Sequence, residues 1–209
     1  MNYIFINPVV DKMYHKEELC DVLKKNGYER VDVTVDWHAF VKEKYKSALE
    51  EATMPLLDRR CPMAISHIEE QIQDKPVEVP SIEPILIHCA IELSTRESLK
   101  GKKKIITTPC QSLAAHGNQL NLEDTHFVSW KEFVKTLDGN LTLKDNSLDE
   151  SPIPLGYFSS LEVKTDSLSG KKMIEEYFMK ERYQGKDLVE MLYCDGGCNN
   201  GDGVKLNEL

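Results

Sequence analysis

Six cysteines stand at positions 20, 61, 89, 110, 194 and 198. Four of them fall beside turn-forming residues: Cys61 precedes Pro62, Cys110 follows Pro109, and Cys194 and Cys198 bracket two glycines in CDGGCNNGDG, residues 194–203. Thiolates are soft donors, an iron–sulfur cubane takes about four of them, and those ligands can come from distant segments. Gly196, Gly197, Gly201 and Gly203 would let backbone approach inorganic sulfide closely and aim amide N–H groups at it, which raises the reduction potential. Cys-x-x-x-Cys is not a zinc-ribbon or ferredoxin spacing, so position and spacing alone leave buried thiols, redox thiols and metal ligands all open. Cys20 in LCDVL and Cys89 in ILIHCAIE lie within apolar helical stretches and read as small core hydrophobes. His67, His88 and His116 each stand alone and read as surface or hydrogen-bonded core residues.

These cysteines need strands and helices to carry them. Tyr3 to Asn7 reads as a first strand. Lys16 to Lys25 has helical apolar spacing and stops at Asn26-Gly27. VDVTV (31–35) is β-branched and predicts a strand, followed by an amphipathic helix to about Ala52. MPLLD (54–58) predicts a strand that ends just before Cys61, and Pro62 is preset for the first turn of the helix MAISHIEEQI. SIEPILIHCAIELSTRESL (81–99) predicts an apolar helix, KKIITTP (103–109) a strand leading to Cys110, and THFVSW (125–130) a segment followed by the amphipathic WKEFVKTL. A turn-rich stretch covers 138–154, Ser169-Gly170 opens a helix, and LVEMLY (188–193) is a strand ending at Cys194. In open α/β sheets, ligands bind beyond the carboxyl ends of the strands. Strand ends at Cys61, Cys110 and Cys194 therefore predict one convergent site.

A chain of 209 residues can bury a sizeable core unaided. The net charge of −9 argues against a general affinity for nucleic acid or anionic lipid, and no apolar run approaches the roughly 20 residues of a membrane span. The start, MNYIFINPVV, has no basic leader with an apolar segment and cleavage site, which predicts a cytoplasmic location and thiols rather than a disulfide framework. The basic cluster Lys100, Lys102, Lys103 and Lys104 reads as a solvated lead-in to a strand.

In order and surroundings, Cys61-Pro62, Pro109-Cys110 and Cys194-Asp195-Gly196-Gly197-Cys198-Asn199-Asn200-Gly201-Asp202-Gly203 resemble the catalytic domain of the iron-only ([FeFe]) hydrogenases and their shortened hydrogenase-like relatives. LKKNGYERVDVTVDWHAF and FVSWKEFVKTL extend the likeness over most of the chain. The resemblance implies an α/β fold of two lobes, each a small mostly parallel sheet flanked by helices, with a [4Fe-4S] cluster site between them. It implies Cys61, Cys110, Cys194 and Cys198 as cluster ligands, with Gly196, Gly197, Asn200 and Gly201 beside the cluster. The whole chain, 1–209, is expected to form one such domain, with approximate lobes 1–80 and 100–209 dividing near residues 76 to 100.

The departures from the family are specific. Arg60 stands where the hydrogen-converting members keep a proton-relaying cysteine, Leu113 where a lysine holds a cyanide of the two-iron subcluster, and Thr108 where they have a methionine. Asp195 and Asp202 replace a proline and a glycine of the last motif. Leucine cannot hydrogen-bond cyanide, and arginine stays protonated to about pH 12 and is a poor proton shuttle. The resemblance therefore implies a hydrogenase-like [4Fe-4S] protein that acts as an electron relay or redox sensor and lacks the two-iron catalytic centre. A divergent hydrogenase or hydrogen sensor with the full centre, and a cluster-free interaction protein, are the alternatives. The closely spaced cysteines of the family's accessory ferredoxin-like segment do not occur in these residues, so the implied partner is a ferredoxin-like electron carrier or a sensor or output domain.

Overall fold

Residues 2–206 are described by the computed structural model, in which eight α-helices flank two all-parallel sheets of four and three strands. In chain order the strands are β1 (Asn2–Phe5), β2 (Tyr28–Arg30), β3 (Leu56–Leu57), β4 (Lys104–Thr108), β5 (Thr125–Ser129), β6 (Thr165–Ser169) and β7 (Leu188–Leu192). The helices are α1 (Pro8–Met13), α2 (Lys16–Lys25), α3 (Trp37–Glu51), α4 (Pro62–Ile72), α5 (Ile85–Thr95), α6 (Gln111–Gln119), α7 (Trp130–Val134) and α8 (Lys171–Met179). This is the expected α/β class, and the alternation has a simple cause: parallel neighbours need a crossover, which a helix provides. Among the described residues no helix is long and apolar enough to cross a membrane.

The chain divides into two compact units, each drawn from separated segments. The first comprises Met1–Val35, Leu86–Pro152 and Cys198–Leu209, and the second Asp36–Ile85 and Ile153–Gly197. The chain thus passes between units four times rather than once near 76–100. The reason is strand pairing across long separations: β1 pairs with β4 and β3 with β7, so each sheet draws on both halves of the sequence.

In the first unit the strand order is β2-β1-β4-β5. Asn7 caps α1, its Oδ1 accepting the amides of Val9 and Val10 at 3.1 and 3.2 Å. Helix α2 has the predicted bounds and stops at Gly27, whose φ of +80° suits only glycine without strain. The strand expected at 31–35 does not form. The Glu92 carboxylate accepts the amides of Thr34 and Val35 at 2.9 and 3.3 Å, so a side chain takes the place of a ladder there. Helix α5 is shorter than the helix expected over 81–99, whose tail is a 3-10 turn at Glu97–Leu99. Ile4, Val10, Leu19, Leu23, Trp130 and Phe133 form the buried core. Lys104 departs from its solvated neighbours: it is 1% exposed and its Nζ donates to the carbonyls of Leu99 and Lys102 at 3.3 and 2.9 Å.

The second unit has the order β3-β7-β6. Every residue of β7 is buried, the pattern of a central parallel strand covered on both faces. The strand predicted at 54–58 is cut to the two residues of β3, and on its outer side Leu57 N donates to the carbonyl of Glu78 at 2.8 Å. Cys61 and Gly170 are the N-caps of α4 and α8, as expected. Leu57, Ile68, Ile174, Phe178, Val189 and Met191 pack as the core, with Cys61 and Tyr193 against it.

Candidate metal centre

In the first unit β4 delivers Thr108, Pro109 and Cys110 to its carboxyl end. Cys110 is the extended N-cap of α6, and its Sγ accepts the amide of Leu113 at 3.4 Å. The last motif folds back onto this corner. A Cβ on Gly201 would lie 2.3 Å from the Pro109 carbonyl oxygen and 3.2 Å from that of Cys198, and one on Gly203 would lie 2.9 Å from the Cys110 amide nitrogen. Only glycine allows that approach. Gly203 N donates to Pro109 O at 3.0 Å, and Asp202 Oδ1 accepts the amide of Gln111, the first residue of α6, at 3.0 Å. Cys110 and Cys198 therefore belong to one corner of the first unit.

Cys61 and Cys194 occupy the corresponding place in the second unit. The register pairs Leu57 with Val189, so both strands run out toward their cysteines together. Burial, aided by the Asp58 charge, pushes the Cys61 thiol up from the ordinary value, against the opposing pull of the nearby backbone N–H groups of Tyr193, Ala64 and Met63. A cation on the sulfur would reverse that balance, since metal ligation requires the thiolate. Beyond Cys194 the chain turns at Gly196 and Gly197, with φ of +75° and +113°.

Three of the glycine amides donate within the protein. Gly196 N donates to Ser169 Oγ at 3.2 Å, Gly197 N to Cys194 O at 3.0 Å and Gly201 N to Cys198 O at 3.1 Å. These donors are satisfied within the protein, so the observed role of the glycines is tight turning and close approach. Asn200 lies in the 3-10 turn Cys198–Asn200, while Asn199 ties that turn to Leu148 O through Nδ2 at 2.7 Å.

Arg60 proves to be an interior residue, with its side chain 2% exposed. Its Nε and Nη2 fork onto Asp58 at 3.0 and 2.7 Å, and Nη2 also meets Glu190 Oε1 at 2.6 Å. The guanidinium carbon sits 4.1 and 4.3 Å from the ring centroids of Tyr157 and Phe158. Burial works against the charge, but Asp58 and Glu190 outweigh it and raise the Arg60 pKa further. Glu190 also accepts the amides of Gly156 and Tyr157 at 2.7 and 3.1 Å and the Ser167 hydroxyl at 2.7 Å. Asp58 accepts the Tyr45 hydroxyl at 3.1 Å, and burial, then Asp58, raises the Tyr45 pKa well above its usual value. The triad went unnoticed in the sequence, although a glutamate in the otherwise apolar LVEML was a signal: a carboxylate in a doubly covered strand needs a buried partner.

No protein-family model matches this chain, and no curated protein matches it.

The donor set suits a soft metal group in kind. Each unit holds two of the four cysteines, Cys110 and Cys198 in the first and Cys61 and Cys194 in the second, and no disulfide is present among the described residues. Within neither unit do three or more described His, Cys, Asp or Glu side chains form a metal-holding group. Leu113 is 7% exposed, and the Thr108 hydroxyl donates to Cys110 O at 2.7 Å, so both side chains serve local packing and bonding. Cys89 is buried on α5, with its thiol pushed up to about 12 by burial and then Glu92, while Cys20 is half-buried on α2. His67 pairs with Glu175 at 2.9 Å and leans edge-on against Tyr193.

Proposed function

We propose that this is a hydrogenase-like protein that binds a [4Fe-4S] cluster through Cys61, Cys110, Cys194 and Cys198 and works as an electron relay or redox sensor without the two-iron centre. The observation that carries the reading is the paired placement of the cysteines: Cys110 and Cys198 at one corner of the first unit, Cys61 and Cys194 past β3 and β7 in the second. When bound, the cluster would supply one-electron transfer. Cys61 would ligate from the start of α4. Cys110 would ligate from the start of α6, where its Sγ accepts the Leu113 amide at 3.4 Å. Such an N–H donor favours thiolate over thiol. Arg60 is a permanent cation whose Nε and Nη2 are held by Asp58 and Glu190, and the Leu113 side chain has no donor, so neither side chain holds or moves a proton for hydrogen chemistry. A ferredoxin-like carrier or an output domain is the partner this role requires.

Single Ser substitutions test the ligand set. Each of Cys61→Ser, Cys110→Ser, Cys194→Ser and Cys198→Ser should weaken or abolish the paramagnetic signal of the reduced, anaerobically reconstituted protein, because each removes a soft donor. Cys20→Ser and Cys89→Ser should leave it unchanged. Loss of the signal in Cys89→Ser with its retention in Cys61→Ser would overturn the assignment.

A further inference from the structure

The buried ion triad of the second unit joins the two segments that lead to its cysteines, Asp58 and Arg60 before Cys61 and Glu190 before Cys194, and β3 explains why such a device is needed there. This edge strand has two residues, attached to β7 by the bonds Leu56 N to Asp187 O at 2.9 Å and Asp58 N to Val189 O at 2.8 Å. Past Asp58 the ladder ends, and the lead to Cys61 has no further strand neighbour to hold it. Arg60 replaces the ladder. Its fork fixes Asp58 on one side and Glu190 on the other, and Glu190 sits on β7 four residues before Cys194. Tyr157 and Phe158 stack on the guanidinium and complete the clamp. Immediately beyond it, Cys61 and Tyr193, the residue before Cys194, pack against the same buried core.

Stability alone is a poor reason for this arrangement. Two carboxylates surround one cation, and Arg60 Nη1 is buried without a hydrogen-bond partner. Buried ion groups of this kind can often be replaced by well-packed apolar residues with no loss of stability, and their best-attested use is to fix register. We propose that Arg60, with Asp58 and Glu190, is a positioning residue that locks the Cys61 lead onto β7 and sets the spacing of Cys61 against Cys194. That the locked pair serves a soft metal group rests on the function proposed above; the locking itself does not.

The experiment uses the full chain, reduced and metal-free, alkylated with iodoacetamide at about pH 8 and followed cysteine by cysteine by mass spectrometry. Arg60→Lys keeps the charge and loses the fork. It should speed labelling of Cys61 and Cys194 by about tenfold, the factor that losing one charge-assisted hydrogen bond corresponds to, while Cys110 and Cys198 in the other unit keep their rates. Glu190→Gln, which preserves shape, should shift the same two cysteines in the same direction and carries the test if Arg60→Lys does not fold. The triple change Asp58→Asn, Arg60→Met, Glu190→Gln separates positioning from stability: its carboxamide oxygens still accept the Tyr45 hydroxyl and the Gly156 and Tyr157 amides, so it should melt nearer the native chain than Arg60→Lys yet keep Cys61 fast. Native labelling rates at Cys61 and Cys194 in both Arg60→Lys and Glu190→Gln would overturn the proposal. Because no cluster enters the assay, a native chain that fails to take up iron sinks the functional reading and leaves this result standing.

Discussion

Gly201 offers the sharpest test of how the first-unit corner is built. An added methyl group at residue 201 would lie 2.3 Å from the Pro109 carbonyl oxygen, whereas ordinary contact begins at 3.4 Å, so Gly201→Ala must displace backbone by about 1 Å. Both atoms belong to main chain, and no side-chain rotation relieves the clash. Overpacking of this kind costs about 1–3 kcal/mol, and disturbing the neighbouring bond from Gly203 to Pro109 adds about 0.5–1.5 kcal/mol. A chain of this length loses about 2–4 °C of melting temperature per kcal/mol. Gly201→Ala should therefore melt roughly 3–18 °C lower, read by circular dichroism. Gly101→Ala is the control: glycine there has φ of +68° and open space around it, so only conformational strain of about 1–2 kcal/mol applies. If Gly201→Ala melted with the native chain, or above Gly101→Ala, close approach would not be what the glycine provides.

Two further outcomes follow from the same structure. Cys89 is held neutral in the fold, with its pKa moved from 9.0 to about 12. Its contribution to stability is thus complete below pH 9 and is lost as the pH climbs from there toward about 12. Urea unfolding should show the gap between native chain and Cys89→Ala narrowing by about 1 kcal/mol from pH 9 to pH 10; parallel profiles would contradict it. Produced together with the machinery that assembles two-iron centres, the protein should show no metal-bound carbon monoxide or cyanide bands in the infrared and background hydrogen turnover with a low-potential dye. Intense cyanide bands would instead make it a divergent hydrogenase.

The parts of the fold legible in the sequence were those where one physical signal acted alone. Apolar runs closed by Pro109-Cys110 and by Cys194 gave β4 and β7 their ends, and Asn26-Gly27 stopped α2 where it does stop. Signals that depended on partners misled. VDVTV has the composition of a strand, but the carboxylate of Glu92, far along the chain, takes the amides of Thr34 and Val35. TDSLS is too polar to announce β6, which exists because β7 lies beside it and Ser167 meets Glu190. Helix α6 carries a glycine at 117, and only the ring of Phe127 against it explains that choice. At the site, the cysteines and glycines were visible by type, whereas Arg60 was read as a missing proton relay. Its structural occupation, a clamp between Asp58, Glu190 and two aromatic rings, needed the pairing of β3 with β7 to become apparent.

Iron and acid-labile sulfide content tests the central claim most directly. The chain, purified and reconstituted without oxygen, should be brown and hold about four irons and about four sulfides per molecule. A colourless protein after careful reconstitution, or one that takes zinc at the four cysteines instead, would contradict it.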